Sequence, residues 1–322
     1  MAVYPDKNTN IIERKKTLST DNENTLFWKY FKEWAEREKK GVVRDVTYAK
    51  YEVNVRRVKH LAPNTKIKDL TRNEYRRILN RYAETHEKST IRDFHRHLKA
   101  CIQDIVYEGL LEKDPTYKVK IPQGKAHKVT RSKYLEEDEI ERLTKVLEED
   151  NSTYGDLCLI DLKTGMRLAE ILGITPSDLD FNNHIISINK TWNYKGGGGF
   201  IPTKNASSVR DIYMDPSTEK LWRQNMEGVE DNEAIFGTLI TYNSMVNYYL
   251  TKACKKADVP RITFHGLRHT HASYLIAQGV SIQSVANRLG HADTTTTQQT
   301  YIHLLKKLEM QDNKKIQELM SK

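Results

Sequence analysis

The stretch FHGLRHTHASYLIAQG, Phe264 to Gly279, decides how the rest of the chain is read. Leu267, Leu275 and Ile276 recur at helical spacing, so the segment is expected to be a helix with one apolar side, ended by Gly279. His265 and Arg268 stand three apart and therefore face the same way from that helix. Here a cation and a proton carrier come from one turn of helix. The crowding of His265, Arg268, His269 and His271 has a metal-site alternative. The His265–His269 pair, however, lacks the glutamate of HExxH, and no further ligand cluster accompanies it.

Segments on either side add to this. TGMRLAEILGI, 164–174, places Arg167 in the turn after Gly165, with Leu168, Ile171 and Leu172 as an apolar helical face behind it. Glu170, three residues on, is placed to pair with a neighbouring cation. LGHADTTTTQQTYIHL, 289–304, closes a helix at Gly290, sets His291 just beyond, and brings Tyr301 ten positions later. One tyrosine among 17 is by itself a core or interface residue.

Taken in order, TGMR-LAE, HGLRH, and LGH with a tyrosine about ten residues later resemble the motifs of the tyrosine recombinases, the phage and conjugative-element integrases and their chromosomal relatives. The resemblance covers roughly 133–322 and implies a role for each residue. Tyr301 would attack the scissile phosphate, forming a 3′-phosphotyrosyl bond and releasing a 5′-hydroxyl. Arg167 and Arg268 would clamp the non-bridging oxygens, His265 would accept the tyrosine proton, and His291 would donate a hydrogen bond to the transition state. The family also uses a hairpin lysine as general acid. PTKNASSVRDIYM, 202–214, resembles that hairpin and points to Lys204, with Lys190 and Lys195 as competitors because register is not fixed by sequence. Glu170 falls where the family often carries a supporting carboxylate. His269 and His271 are expected to pack or orient their helix. Neither ATP, a metal nor any other cofactor is implied.

The expected fold is mainly α with a small antiparallel β-sheet: a helical core-binding bundle followed by a mixed α/β catalytic domain. Residues 1–21 are polar and irregular, and are too few for a complete arm-binding domain. Over 22–113, Leu26, Phe27, Tyr30, Phe31 and Trp34 begin a series of four amphipathic helices. The others lie near Thr47 to Leu61, from Thr71 with Glu74 as a capping box, and from Ser89-Thr90. Residues 114–132 read as an extended basic linker. EEDEIERLTKVLEE opens the catalytic domain, 133–302, with acidic residues that suit a helix N-terminus. His184 to Asn189 and Val209 to Met214 alternate as strands around KGGGGF, whose glycines suit a turn better than a phosphate loop, since no GK[ST] follows. The tail, 303–322, is expected to be a helix.

With 52 Lys+Arg against 43 Asp+Glu, the net charge is +9, which favours a polyanionic partner. Cys101, Cys158 and Cys254 have no CxxC spacing, so neither a disulfide framework nor a zinc site is suggested. No apolar run approaches a membrane span, and a cytoplasmic, nucleoid-associated protein is expected. The resemblance implies double-stranded DNA as partner and a homotetramer on DNA that exchanges C-terminal tails. Accessory DNA-bending or directionality proteins are further implied partners. Other readings are a chromosome-dimer-resolving recombinase, a monomeric type IB topoisomerase, and a non-catalytic DNA-binding relative. The short bundle argues against the topoisomerase, and the complete residue set against the last.

Overall fold

The computed structural model describes residues 23–126, 134–237, 239, 242–295, 297, 298, 300, 301, 313 and 317–321. They form two compact units that divide between residues 129 and 130.

The first unit is built on α1 (Phe27–Glu38), α2 (Asp45–Leu61), α3 (Arg72–Ala83) and α4 (Lys88–Tyr107). Phe27, Tyr30, Phe31 and Trp34 are all buried, as their i, i+3, i+4, i+7 spacing requires of a core-facing stripe. They meet Ile91, Phe94, Leu98, Ile102 and Ile105 of α4 in one core. Each such side chain contributes about 1.5–3 kcal/mol by leaving water. The Thr71 hydroxyl accepts from Glu74 N–H at 3.2 Å and starts α3. The stretch expected to run as a connector from 114 starts on this bundle. Val119 and Ile121 pack against its core, and Lys125 N–H donates to the His86 carbonyl at 2.9 Å. The alternation of apolar residues between lysines gives that strip one sticky face, so it lies on the bundle as far as residue 126. The rest of the expected linker, 127–132, lies outside the described residues, as does the 1–21 tail.

The second unit centres on α6 (Thr153–Thr164), which is apolar nearly all round and buried nearly all round. Around it pack α5 (Glu137–Asp150), α8 (Pro216–Asn225), α9 (Asn243–Lys256) and α10 (Phe264–Ala277). The Glu139 side chain accepts from Glu136 N–H at 2.8 Å, so the acidic start of α5 caps itself. The short α7 (Leu168–Ile171) follows α6, and α11 (Ile282–Leu289) follows α10.

The β region is two small antiparallel sheets rather than one. Strands β1 (Leu179–Asp180), β2 (Ile185–Ile188) and β5 (Arg210–Tyr213) form the first, with Ile186 opposite Ile212. Strands β3 (Lys190–Trp192) and β4 (Phe200–Pro202) form a separate hairpin around the glycine run, with Thr191 opposite Ile201. The break falls at Asn189, whose side-chain amide donates to Asp178 at 2.8 Å. The expected tail helix, 303–322, lies outside the described residues except for 313 and 317–321. Among the described residues no helix is long and apolar enough to cross a membrane.

Candidate active site

Helix α6 ends at Gly165 in the left-handed conformation, φ +67°. A Cβ there would lie 2.7 Å from His271 Cδ2 and 2.9 Å from Leu289 Cδ2, so the turn needs glycine for space as well as for φ. The chain then delivers Arg167 to the N-terminus of α7. Its backbone N–H donates to Glu170 Oε2 at 2.9 Å and its Nη1 to Oε1 at 2.6 Å. Glu170 is 1% exposed and also accepts from Arg210 Nη2 at 2.9 Å. Burial opposes its charge, but the charges and hydrogen bonds of Arg210 and Arg167 outweigh it and hold the carboxyl below its usual range.

Arg268, on α10, is 2% exposed. Its Nη1 donates to the Gly165 carbonyl at 2.5 Å and its Nη2 to the Leu289 carbonyl at 2.6 Å. Arg167 Nη2 takes the next carbonyl, that of Gly290, at 3.2 Å. Two guanidinium groups, 101 residues apart in sequence by subtraction, thus hold successive carbonyls of a single turn. Burial, reinforced by the Arg167 charge, brings Arg268 down to about 10, which leaves it cationic at neutral pH.

His291 leaves that turn with its backbone N–H on the Ala286 carbonyl. Its Nε2 lies 3.2 Å from Arg268 Nη2 and its Nδ1 2.7 Å from the Thr297 hydroxyl. Arginine only donates, so this arrangement makes Nε2 the acceptor and puts the ring proton on Nδ1. Burial, then Arg268, Arg167 and Arg210, push the pKa down to about 4, and the ring is neutral at pH 7.

Tyr301 is 2% exposed and packs with Ala272, Ile276, Val285 and Leu289. Its hydroxyl lies 2.9 Å from His269 Nδ1. Burial raises its pKa against the opposing pull of Arg268, so the phenol is neutral. The imidazole at the phenol is therefore His269, expected only to pack, and not His265, expected to take the proton. His265 stands one helical turn away, its ring edge-on to that of His269 with centroids 4.7 Å apart. It remains open to solvent, yet partial burial followed by Arg268 and Arg167 lowers its pKa. The i, i+4 spacing of the two histidines was the signal that both share this face; which one meets Tyr301 depends on a fold-back of 32 residues.

Lys204 lies exposed in the loop between β4 and the single turn Ala206–Ser208. The competitor Lys190 is bound to the Asp178 carboxylate and also donates to Thr175 Oγ1 at 3.3 Å. Lys195 sits at the glycine turn with its ammonium 5.5 Å from the Tyr194 ring centroid. The Lys204 loop reaches the arginines through Ser208, whose hydroxyl lies 3.4 Å from Arg167 Nη1. Arg210 was missed by sequence reasoning. Its signal was strand alternation, because Arg210 and Ile212 share the inner face of β5, where a cation needs a partner.

The sequence profile of the phage integrase family matches residues 133–307, which hold all of these groups. The chain belongs to the phage integrase family. Within it, the integrase of Staphylococcus phage L54a is 28% identical over 212 residues, covering 58% of this chain and 60% of that protein. The chain spans between 60% and 65% of the length of the first curated relatives it matches. Among solved structures, the Tn1549 transposon integrase in complex with a circular intermediate DNA superposes with a TM-score of 0.74 at 20% identity, over 86% of this chain and 95% of that one. A lambda integrase tetramer bound to a Holliday junction gives 0.62 at 17% identity, over 92% and 90%. At these identities the structural likeness shows that the integrase fold is shared.

Proposed function

We propose that the chain is a site-specific recombinase that cuts and rejoins double-stranded DNA to integrate or excise a mobile element. Tyr301 Oη attacks the scissile phosphorus, and the bond from phosphorus to the 5′ oxygen breaks. The products are a 3′-phosphotyrosyl bond and a 5′-hydroxyl. Arg167 and Arg268 hold the non-bridging oxygens, for which a planar fork suits better than a point charge. The phenol proton leaves by His269, with His265 the next group along the helix, and Lys204 protonates the departing oxygen. His291 donates to the transition state once its proton is on Nε2. Rejoining reverses these steps with a new 5′-hydroxyl as nucleophile, and the phosphotyrosine conserves the bond energy.

The observation that carries this reading is the convergence of Arg167, Arg268 and His291 on the Leu289–Gly290 turn, with the Tyr301 hydroxyl tethered to the helix that bears Arg268. The DNA complexes of the Tn1549 and lambda integrases support DNA as the substrate, and the lambda tetramer on a Holliday junction supports four protomers. Tail exchange between those protomers, accessory directionality proteins and a nucleoid-bound location are parts of the same proposal.

The test is covalent capture. The full chain is incubated with a pool of nicked duplexes of randomised sequence, on which cleavage traps the protein as a denaturant-stable adduct. Sequencing the captured DNA gives the substrate, and the adducted peptide is mapped. Attachment at Tyr301, lost in Tyr301→Phe with DNA binding retained, is the expected result. Adducts that persist in Tyr301→Phe would overturn the assignment.

A further inference from the structure

The Arg210 side chain is 8% exposed, on the inner face of β5, and its donors go three ways. Nη2 donates to Glu170 Oε2 at 2.9 Å, Nη1 to the Ser208 carbonyl at 2.9 Å, and Nε to the Arg288 carbonyl at 2.6 Å. The three acceptors belong to α7, to the turn that follows Lys204, and to the last turn of α11. A fourth contact closes the group. Gly290 sits at φ +66°, and a Cβ there would lie 2.8 Å from Arg210 Nη1 and 3.1 Å from Cζ. The glycine of the LGH motif thus leaves the space that this guanidinium fills.

The consequence reaches Lys204 through the backbone. Ser208 N–H donates to the Asn205 carbonyl and Val209 N–H to that of Ala206, both at 3.0 Å, so 205–209 is one tight unit. Holding the Ser208 carbonyl fixes that unit, and with it the end of the loop on which Lys204 stands. On its other side Arg210 shares Glu170 with Arg167, so one carboxylate sets the relative place of both arginines. Enclosed and bonded to three protein acceptors, Arg210 is placed to act through these neighbours.

We infer that Arg210 is a positioning residue that locks the Lys204 loop to the Arg167–Glu170 pair and to the Gly290 turn. This rests on the proposed reading of Lys204 as the group that protonates the leaving oxygen. A lysine at 210 has one donor centre in place of a planar fork and does not reach all three acceptors at once.

Two measurements on the full chain test this with Arg210→Lys and Arg210→Gln. In the DNA-free protein, amide hydrogen exchange over 203–209 is expected to accelerate in both variants while that of α6 is unchanged; unaltered exchange over 203–209 overturns the clamp. Single-turnover cleavage is then followed on the captured nicked duplex, with an ordinary 5′-bridging oxygen or with a 5′-bridging sulfur, which leaves without needing a proton. On oxygen the rate is expected to fall about 10²-fold, the loss typical of a small misplacement of a reacting group. On sulfur most of that loss is expected to return, as in Lys204→Ala, with DNA affinity unchanged throughout. An equal defect on both substrates overturns the link to Lys204. Arg210→Lys keeps the buried charge and carries the test if Arg210→Gln unfolds. A wild type inert on every duplex would count against the recombinase reading, while the exchange measurement still decides the clamp.

Discussion

Neighbouring residues of α10 serve two differently prepared regions. Arg268 points into the cation cluster at the Leu289–Gly290 turn, while His269, the next residue, holds the Tyr301 hydroxyl. In the cluster the charges are already in place: Arg167 and Arg210 share Glu170, and Arg268 is fixed to two carbonyls. Around Tyr301 the environment is apolar, and its hydroxyl is turned to an imidazole. If Tyr301 is the nucleophile, as proposed, a side chain 2% exposed does not reach a phosphate lying outside the protein, and it has to be uncovered or moved when DNA binds. The electrostatic half of the site is organised in advance, where it needs no rearrangement during reaction. The tyrosine proposed as nucleophile is kept neutral and covered.

The largest effect expected is in the preorganised half. Arg268→Ala should lower single-turnover cleavage about 10³-fold, the upper range for losing one donor to a developing oxyanion. It also leaves the buried carbonyls of Gly165 and Leu289 without this donor, so the unfolding temperature should fall as well. Arg268→Lys, which keeps charge but not the fork, should rescue stability better than rate. A near-wild-type rate in Arg268→Ala would show that the cluster is scaffolding only.

The covered half is tested by His269→Ala, for which a loss of about 10² is expected, the lower range for a group that carries the proton. His269→Gln separates carrying a proton from packing, because an amide can hold the hydroxyl but cannot take its proton. It should keep the unfolding temperature better than His269→Ala and cleave as slowly, while His265→Ala costs less. If His265→Ala is the slower variant, the proton passes through His265, and the His269 hydrogen bond is a resting contact.

His271 backs the Gly165 turn of the cluster, and its effect is on stability. Its Nδ1 lies 2.9 Å from the Leu162 carbonyl and its Nε2 accepts from Arg288 at 3.0 Å, so the folded ring has no room for a second proton. Burial and then Arg288 depress its pKa to about 3, while the unfolded chain takes up that proton near 6.5. A histidine depressed in this way contributes fully above the unfolded value and loses its contribution as pH falls towards the folded one. By pH 5 the loss from this residue is on the order of 2 kcal/mol. Chemical denaturation at pH 7 and pH 5 should show it, with a smaller difference in His271→Gln. His291, less enclosed, adds to the same window. Equal stability at both pH values would rule the account out.

Local spacing and long-range partnering differ in how far they could be read in advance. The stripe from Phe27 to Trp34, the Thr71 cap, and the glycine ends at Gly165 and Gly290 depend on neighbours within about two turns, and the sequence states those neighbours directly. The Arg167–Glu170 pair is legible for the same reason. Arg210 is not, because two of its three acceptors lie 40 and 78 residues away and only the folded path joins them. The partner of Tyr301 is hidden likewise. The split of the β region into two sheets turns on Asn189 leaving the strand register for Asp178, a contact no alternation pattern encodes. The connector misled because its lysines suggested a solvated strand, whereas Val119 and Ile121 between them bind the bundle.

The smallest effect expected is none at all, and it bears on the whole comparison. If Arg167 and Arg268 supply the positive charge at the phosphate, cleavage in excess EDTA should run at the untreated rate, since no divalent ion has a task left in the charge balance. The hydrogen bonds also bear on the histidines. His269 Nδ1 is engaged with the Tyr301 hydroxyl, so a metal shared by His265 and His269 would have to take His269 through Nε2. The outcome that breaks this is a rate lost on chelation and restored by zinc but not by magnesium. That result would move the cation from the arginine cluster to the histidine face, and Tyr301 would then be a metal-activated phenol instead of a covered nucleophile awaiting DNA.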